Sequence, residues 1–185
     1  MGVYLYDVDA ERWATDPTFV ALAPALNEEL EARGVPAYAG PPPGPGEDFA
    51  ERFVHPGSVL FRLFARHLPG PAWDETARWE ILVPVDFDGP LHLPTANPQT
   101  PVAVGSAPRV RAAMRRLADI IGLPDDVPAT CENLDVSQWF AEVEWAERPV
   151  APGRWRRDLP GAFSVAMHLR GAEYALRTGR PLIIE

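Results

Sequence analysis

Two aspartates, two residues apart, stand where the first apolar run of the chain ends. Residues 3–8 are mostly aromatic or aliphatic, which predicts a short strand, and Asp7 and Asp9 close it. Carboxylates at the carboxyl edge of a sheet can supply oxygen ligands to Mg²⁺. Asp7 and Asp9 are therefore the candidate catalytic pair if the chain is a small metal-dependent hydrolase or phosphatase.

The run Asp7-Val8-Asp9 resembles the first motif of the haloacid-dehalogenase-like phosphatases, an apolar strand followed by Asp-x-Asp. In that resemblance, Asp125-Asp126 takes the place of the family's later acidic pair. The likeness covers fewer than ten residues, the chain has no lysine for the family's phosphate contact, and Gly-Leu-Pro rather than a strand precedes Asp125. We therefore interpret the pair as a strand end, with Asp9 capping the turn that follows. We expect no bound metal there and no turnover of generic phosphate, ester or peptide substrates.

Other residue types that often do chemistry do not form a local motif. The four histidines, at positions 55, 67, 92 and 168, are too far apart for the i, i+4 zinc pair of a helix. The single cysteine, Cys131, excludes an intrachain disulfide and a cysteine-based metal cage. All 17 basic residues are arginine, so no lysine can act as a Schiff base or a phosphate-loop residue. The sequence thus predicts no cofactor. The frequent use of arginine, alanine, proline and glycine, whose codons are GC-rich, indicates a GC-rich bacterial genome.

The net charge of −9 is unevenly distributed. Residues 1–51 carry ten acidic residues and two arginines, and residues 131–147 carry five acidic residues and no base. Such a balance argues against nucleic acid and anionic membranes as partners. It fits a basic protein partner or, as the simpler interpretation, solubility alone. The residues predicted to contact that partner are five carboxylates and one tryptophan: Glu28, Glu29, Glu31, Glu142, Glu144 and Trp145.

These features together favour a non-catalytic binding protein that occludes a protein partner, expected to be basic. Its profile is similar to that of immunity proteins. A metal-dependent hydrolase using Asp7 and Asp9, or an accessory protein to a pathway enzyme, is the alternative. The start of the chain lacks the pattern of a signal peptide, and there is no apolar run of membrane-spanning length, so we expect a cytoplasmic protein without a membrane partner.

The order of predicted strands and helices indicates an α/β or α+β fold. We expect a single mixed domain over residues 1–185, with a proline-rich loop at 35–48. A small sheet is expected, with about four flanking helices. The predicted strands are 3–8, 81–87, 91–93 and 182–184. The predicted helices are 16–34, 58–68, 106–122 and 160–178.

Two local patterns carry specific expectations. Asp88-Gly89 predicts a two-residue hairpin turn that pairs the strand at 81–87 with the strand at 91–93, with one of them at a sheet edge because of Pro84 and Pro90. Residues 137–147 fit either a helix or a strand.

Overall fold

The structure, a computed structural model, describes residues 3–44, 49–53, 63, 66–68, 78–95, 100–130, 134–145 and 153–185. These residues form a six-stranded mixed sheet with helices packed on both faces. The predicted mixed fold, a sheet with flanking helices in one α+β domain, is confirmed. Five α-helices rather than four are found in the described ranges.

The strands are β1 (Val3–Asp7), β2 (Ala50–Phe53), β3 (Ile81–Val83), β4 (Leu91–Leu93), β5 (Val102–Ser106) and β6 (Leu182–Ile184). The helices are α1 (Ala10–Thr15), α2 (Pro17–Ala32), α3 (Ala107–Ile121), α4 (Asp135–Glu144) and α5 (Leu159–Thr178), with a short 3₁₀ helix at Arg154–Arg157. Across the sheet the order is β2-β1-β6-β3-β5-β4. Strands β3 and β5 are parallel, and the other neighbours are antiparallel.

Alternating side chains of β3 divide the core into two layers. Ile81 and Val83 pack on the side of α2, whereas Leu82 packs on the side of α3, α4 and α5. This follows from the two-residue period of a strand, which sends successive side chains to opposite faces. Helices α2 and α4 therefore cover opposite faces of the sheet.

Helix α2 follows its sequence signals closely. Asp16 accepts a hydrogen bond from the Thr18 amide at 2.8 Å, and Pro17 occupies the first turn. An apolar stripe at spacings of three and four is fully buried against the sheet: Phe19, Leu22, Leu26 and Leu30. The helix runs without a break through Pro24.

The C-terminal strand lies in the middle of the sheet, between β1 and β3. Helix α5 ends at Gly179, whose φ of +70° is the left-handed conformation typical of a helix C-cap. Leu182 then packs in one layer of the core and Ile183 against the other. The predicted strand at 182–184 is therefore present and is covered on both sides.

The predicted hairpin is wrong. Strand β3 ends at Val83, because Pro84 has no N–H for the ladder, and β5 lies between β3 and β4. Gly105 allows β5 to lie at this position, because a side chain there would clash with Trp79: its Cβ would lie only 2.9 Å from the Cβ of Trp79. The turn at Asp88-Gly89 therefore leads to an edge strand that pairs with β5, with His92 opposite Ala103.

Several other expectations are resolved or lie outside the described residues. Residues 135–144 are a helix, so the described part of 137–147 contains a helix and no strand, and residues 146–147 lie outside the described ranges. Strands β2 and β5 were not predicted. The proline-rich loop has no helix or strand over 35–44, and its residues 45–48 lie outside the described ranges, as do Cys131 and most of the predicted helix at 58–68.

Ser106 takes the N-cap position of α3 without capping it. Its side chain makes no capping hydrogen bond, it is 3% exposed, and its hydroxyl has no partner among the residues that the structure describes. An N-cap serine usually stabilises a helix by about 1 kcal/mol, whereas an unpaired buried hydroxyl is unfavourable.

We therefore expect Ser106→Ala to leave the free energy of unfolding unchanged or to raise it, by less than about 1 kcal/mol, in urea unfolding. Asp16→Ala is the matched control, because Asp16 does cap α2, and it should lose about 1 kcal/mol. An equal loss in the two variants would show that the Ser106 hydroxyl caps α3 after all.

Candidate partner-binding surface

The first aspartate of the Asp-x-Asp pair is bound from within the protein. Asp7 ends β1, and its Oδ2 accepts a hydrogen bond of 3.0 Å from the Tyr174 hydroxyl. The guanidinium of Arg180, which is only 4% exposed, lies 3.5 Å from the same oxygen. Burial raises the pKa of Asp7, while the Tyr174 hydroxyl and the Arg180 charge act against that rise.

The second aspartate caps the helix that follows. Asp9 is exposed, and its Oδ1 accepts a hydrogen bond of 2.7 Å from the Arg12 amide, which caps α1 as the sequence predicts. Asp125 and Asp126 are exposed in the turn after α3. Within the described ranges, no group of three His, Cys, Asp or Glu side chains is placed to hold a metal ion. The geometry thus gives the two aspartates structural partners, and the absence of catalysis at Asp7 and Asp9 stays a prediction.

The polar cluster around Asp7 ties the proline-rich loop to the sheet. Arg180 also donates to the carbonyl oxygen of Gly44, and the Tyr38 hydroxyl donates to the carbonyl oxygen of Gly179 at 2.7 Å. Burial raises the pKa of Tyr38, which keeps its hydroxyl protonated as a donor. These contacts hold two distant stretches of chain together at one end of the sheet.

The structure divides the predicted partner-binding residues between two surfaces. Three are exposed on α2: Glu28, Glu29 and Glu31. Glu29 pairs with Arg33 at 3.7 Å. The other three lie together at the end of α4, on the opposite face of the sheet: Glu142, Glu144 and Trp145. These six residues therefore do not form one continuous acidic surface.

Helix α4 presents one face to the core and one to solvent. Its inward residues recur at helical spacing: Val136, Trp139, Phe140 and Val143. The Trp139 ring lies 5.6 Å from the ring of Trp155, which is 2% exposed although arginines flank it on both sides. Trp155 is thus part of the core, as Trp79 and Trp139 are.

A buried carboxylate from β2 anchors the start of α4. Leu134, at the N-cap position, offers no side-chain cap and has a φ of +69°. In its place Glu51, which is fully buried, accepts hydrogen bonds from the Val136 amide at 3.0 Å and from the Ser137 amide at 3.2 Å, as well as from the Ser137 hydroxyl. The negative charge also suits the positive end of the helix dipole. Glu51 was not predicted from the sequence. A glutamate between Ala50 and Arg52 gave no sign of burial.

A groove of about 340 Å³ separates α4 from the first turns of α5. Four residues of α4 at spacings of three and four form one wall: Ser137, Phe140, Ala141 and Glu144. Three residues of α5 form the other: Leu159, Pro160 and Phe163. The rings of Phe140 and Phe163 meet edge to face at 5.5 Å. The groove is therefore largely apolar and open to solvent.

Trp145 stands at the end of the α4 wall. Its amide donates to the Ala141 carbonyl at 3.0 Å, so it lies one helical turn beyond Ala141. The side chain is 74% exposed. In the part of the chain that the structure describes, no aromatic ring or arginine contacts the indole. A large aromatic surface thus faces solvent directly beside an apolar groove.

The charges around the groove differ between its two walls. The last turn of α4 carries Glu142 and Glu144 and no basic residue, at the negative end of the helix dipole. Gln138 Nε2 donates to Glu142 Oε1 at 3.0 Å. The 3₁₀ helix that leads into the α5 wall exposes three arginines, which form no ion pair with any described residue: Arg154, Arg156 and Arg157.

Comparisons of the chain with protein-family models, with curated proteins and with solved structures give no match. Function must therefore be inferred from the geometry of the chain itself. No helix among the described residues combines the length and apolar character needed to cross a membrane.

Proposed function

We propose that this protein binds another protein through the surface around α4 and acts by covering part of that partner. The α4 surface consists of the groove residues together with the exposed tryptophan: Ser137, Phe140, Ala141, Glu144, Trp145, Leu159, Pro160 and Phe163. The observation that carries the proposal is the 74% exposure of Trp145 at the acidic end of an apolar groove. Exposed aromatic residues beside apolar pockets are typical of binding hot spots.

The energetics favour a partner at this position. A tryptophan side chain buries roughly 150–250 Å² when it is covered, and removing apolar area from water contributes about 25 cal/mol per Å². Because 74% of Trp145 is exposed, a partner could cover roughly 110–185 Å² of it, which would contribute about 3–5 kcal/mol before the cost of ordering the partner. A partner side chain in the groove, against Phe140 and Phe163, would add to this.

Charge supports a basic partner that approaches the α4 wall. Glu142 and Glu144 lie beside Trp145, and the chain as a whole carries a net charge of −9. The resulting negative electrostatic field speeds association with a basic protein and disfavours binding of an acidic one. Occlusion of a basic partner in the cytoplasm, as immunity proteins do it, is the mode of action that this combination supports best.

The acidic residues of α2 have a different role in the proposal. They lie on the opposite face, so their contribution acts over long range and is screened by salt beyond about 8 Å at physiological ionic strength. Reversing Glu28, Glu29 and Glu31 to arginine should slow association at low salt and flatten its salt dependence, and the lifetime of the complex should not change.

The test is a selection of random dodecapeptides displayed on phage against the purified protein. We expect the enriched peptides to combine large apolar residues with a basic residue. Glu144→Arg and Trp145→Ala should each weaken binding of a synthetic enriched peptide about tenfold or more, which corresponds to about 1.4 kcal/mol. Glu28→Arg, a matched reversal on α2, should change its affinity less than twofold at physiological salt.

Two results would contradict the proposal. One is the enrichment of no peptide family at all. The other is an enriched family whose affinity falls with Glu28→Arg and is unaffected by Glu144→Arg and Trp145→Ala, since that pattern would place the binding surface on α2.

A further inference from the structure

We infer that the segment docked on the α4 surface carries one arginine, which stacks on Trp145 while an apolar neighbour enters the groove. This inference rests on the proposed function and specifies the chemistry of the partner. It follows from the acidic end of α4 beside Trp145 and from the exposed arginines that precede the opposite wall.

Three features make the surroundings of Trp145 favourable for a cation. The exposed carboxylate of Glu144 directly precedes it in the last turn of α4, and that turn carries no basic residue of its own. The unpaired carbonyl groups at the C-terminus of a helix carry partial negative charge. The face of an indole attracts cations more strongly than other aromatic rings do. All three effects act on the same small region of surface.

The chain itself places an arginine against two of its aromatic rings. The guanidinium of Arg12 lies 5.7 Å from the ring centroid of Phe19, and that of Arg177 lies 5.6 Å from the centroid of Tyr174. No described arginine does the same for Trp145. The exposed indole at the acidic end of α4 is thus available to a cation from outside the described chain.

A guanidinium fits this position better than an ammonium group. It is planar, so it can lie on the exposed indole while its N–H groups point outward to a carboxylate such as Glu144. It is also more weakly hydrated, which lowers the cost of desolvation beside the apolar groove. We therefore expect arginine to be preferred over lysine.

The opposite wall limits the partner segment to a single positive charge. Arg154, Arg156 and Arg157 are exposed in the 3₁₀ helix, and one residue, Asp158, which caps α5, separates them from the groove residues Leu159 and Pro160. A second basic residue at that side would meet like charge, whereas an acidic residue would meet opposite charge. The segment should therefore be polarised, with its arginine at the α4 wall and a neutral or acidic residue at the α5 wall.

A series of capped hexapeptides tests this chemistry by isothermal titration. The parent peptide is Asp-Ala-Leu-Leu-Ala-Arg, and its variants replace the arginine by citrulline or lysine, the aspartate by arginine, or both leucines by alanine. Citrulline has the shape of arginine without its charge. We expect citrulline to weaken binding about tenfold and lysine about threefold, and the doubly basic peptide to bind more weakly than the parent. Trp145→Ala should reduce the difference between arginine and citrulline to less than twofold.

The outcomes separate this inference from the function on which it rests. Equal affinity of the arginine and citrulline peptides, with a loss when the leucines are replaced, overturns the guanidinium site and leaves the groove as a docking surface. Tighter binding of the doubly basic peptide overturns the polarised segment. Absence of binding by the parent peptide at millimolar concentration, together with a failed peptide selection, overturns both proposals.

Discussion

Replacing Glu51 by alanine is expected to lower the free energy of unfolding by about 3 kcal/mol. The substitution leaves the amides of Val136 and Ser137 without their acceptor at a buried helix start, and each unpaired buried donor costs roughly 1–3 kcal/mol. It also leaves a cavity where a fully buried side chain stood. Urea unfolding monitored by circular dichroism measures the loss.

Matched variants show whether the carboxylate itself is responsible. Glu51→Gln keeps the shape and one good acceptor, and it should lose less than Glu51→Ala. Glu28→Ala, an exposed glutamate of α2, should change the stability by less than about 0.5 kcal/mol. Because Glu51 holds the start of α4, Glu51→Ala should also weaken binding of a peptide selected on the α4 surface. A stability loss below about 1 kcal/mol for Glu51→Ala would contradict the anchoring role.

Arg180→Met is the second substitution with a large expected effect, a loss of about 3 kcal/mol at neutral pH. It removes the buried charge that faces Asp7 and the donor to the Gly44 carbonyl, and breaking a buried ion pair from one side typically costs about 3–5 kcal/mol. The lower part of that range applies because Asp7 keeps its hydrogen bond from Tyr174. Arg111→Met, an exposed arginine of α3, is the control and should lose less than about 0.5 kcal/mol.

The pH dependence of this variant has a definite sign. Burial already raises the pKa of Asp7 above its ordinary value in the folded protein, so the folded state holds the Asp7 proton more tightly than the unfolded state does. The contribution of Asp7 therefore becomes more favourable as the pH falls through that raised pKa, and less favourable as the pH rises through it.

Removing Arg180 takes away a charge that lowers the pKa of Asp7 and should raise that pKa further. The stability difference between Arg180→Met and the parent should thus shrink on acidification from neutral pH, and adding Asp7→Asn should abolish this pH dependence. A difference that grows on acidification would contradict the assigned pair.

Local sequence patterns predicted the elements whose stability is local. The stripe of α2, its Asp16 cap and the glycine that ends α5 depend on residues within a few positions of one another. The hairpin failed because strand pairing is not local: Asp88-Gly89 does turn the chain, but β5 binds between the two strands that the turn was expected to join.

The candidate site was predictable in its residue types and not in its assembly. The carboxylates of α4 and Trp145 followed from charge and aromatic content. The groove was missed because it needs residues 137–145 and 159–163 side by side, which only the packing of α4 on α5 decides. Glu51 was missed for the same reason, since its acceptor role depends on amides 85 residues further along the chain.

Chemical-shift mapping tests the α4 surface most directly. The protein labelled with ¹⁵N is titrated with a peptide enriched in the display selection, and the amide and indole N–H signals are followed. We expect the largest shifts at the Trp145 indole N–H and at the amides of residues 137–145, Leu159 and residues 161–163, with the amides of α2 unchanged. Shifts centred on α2, or on the cluster around Asp7 with Trp145 unaffected, would contradict the proposal.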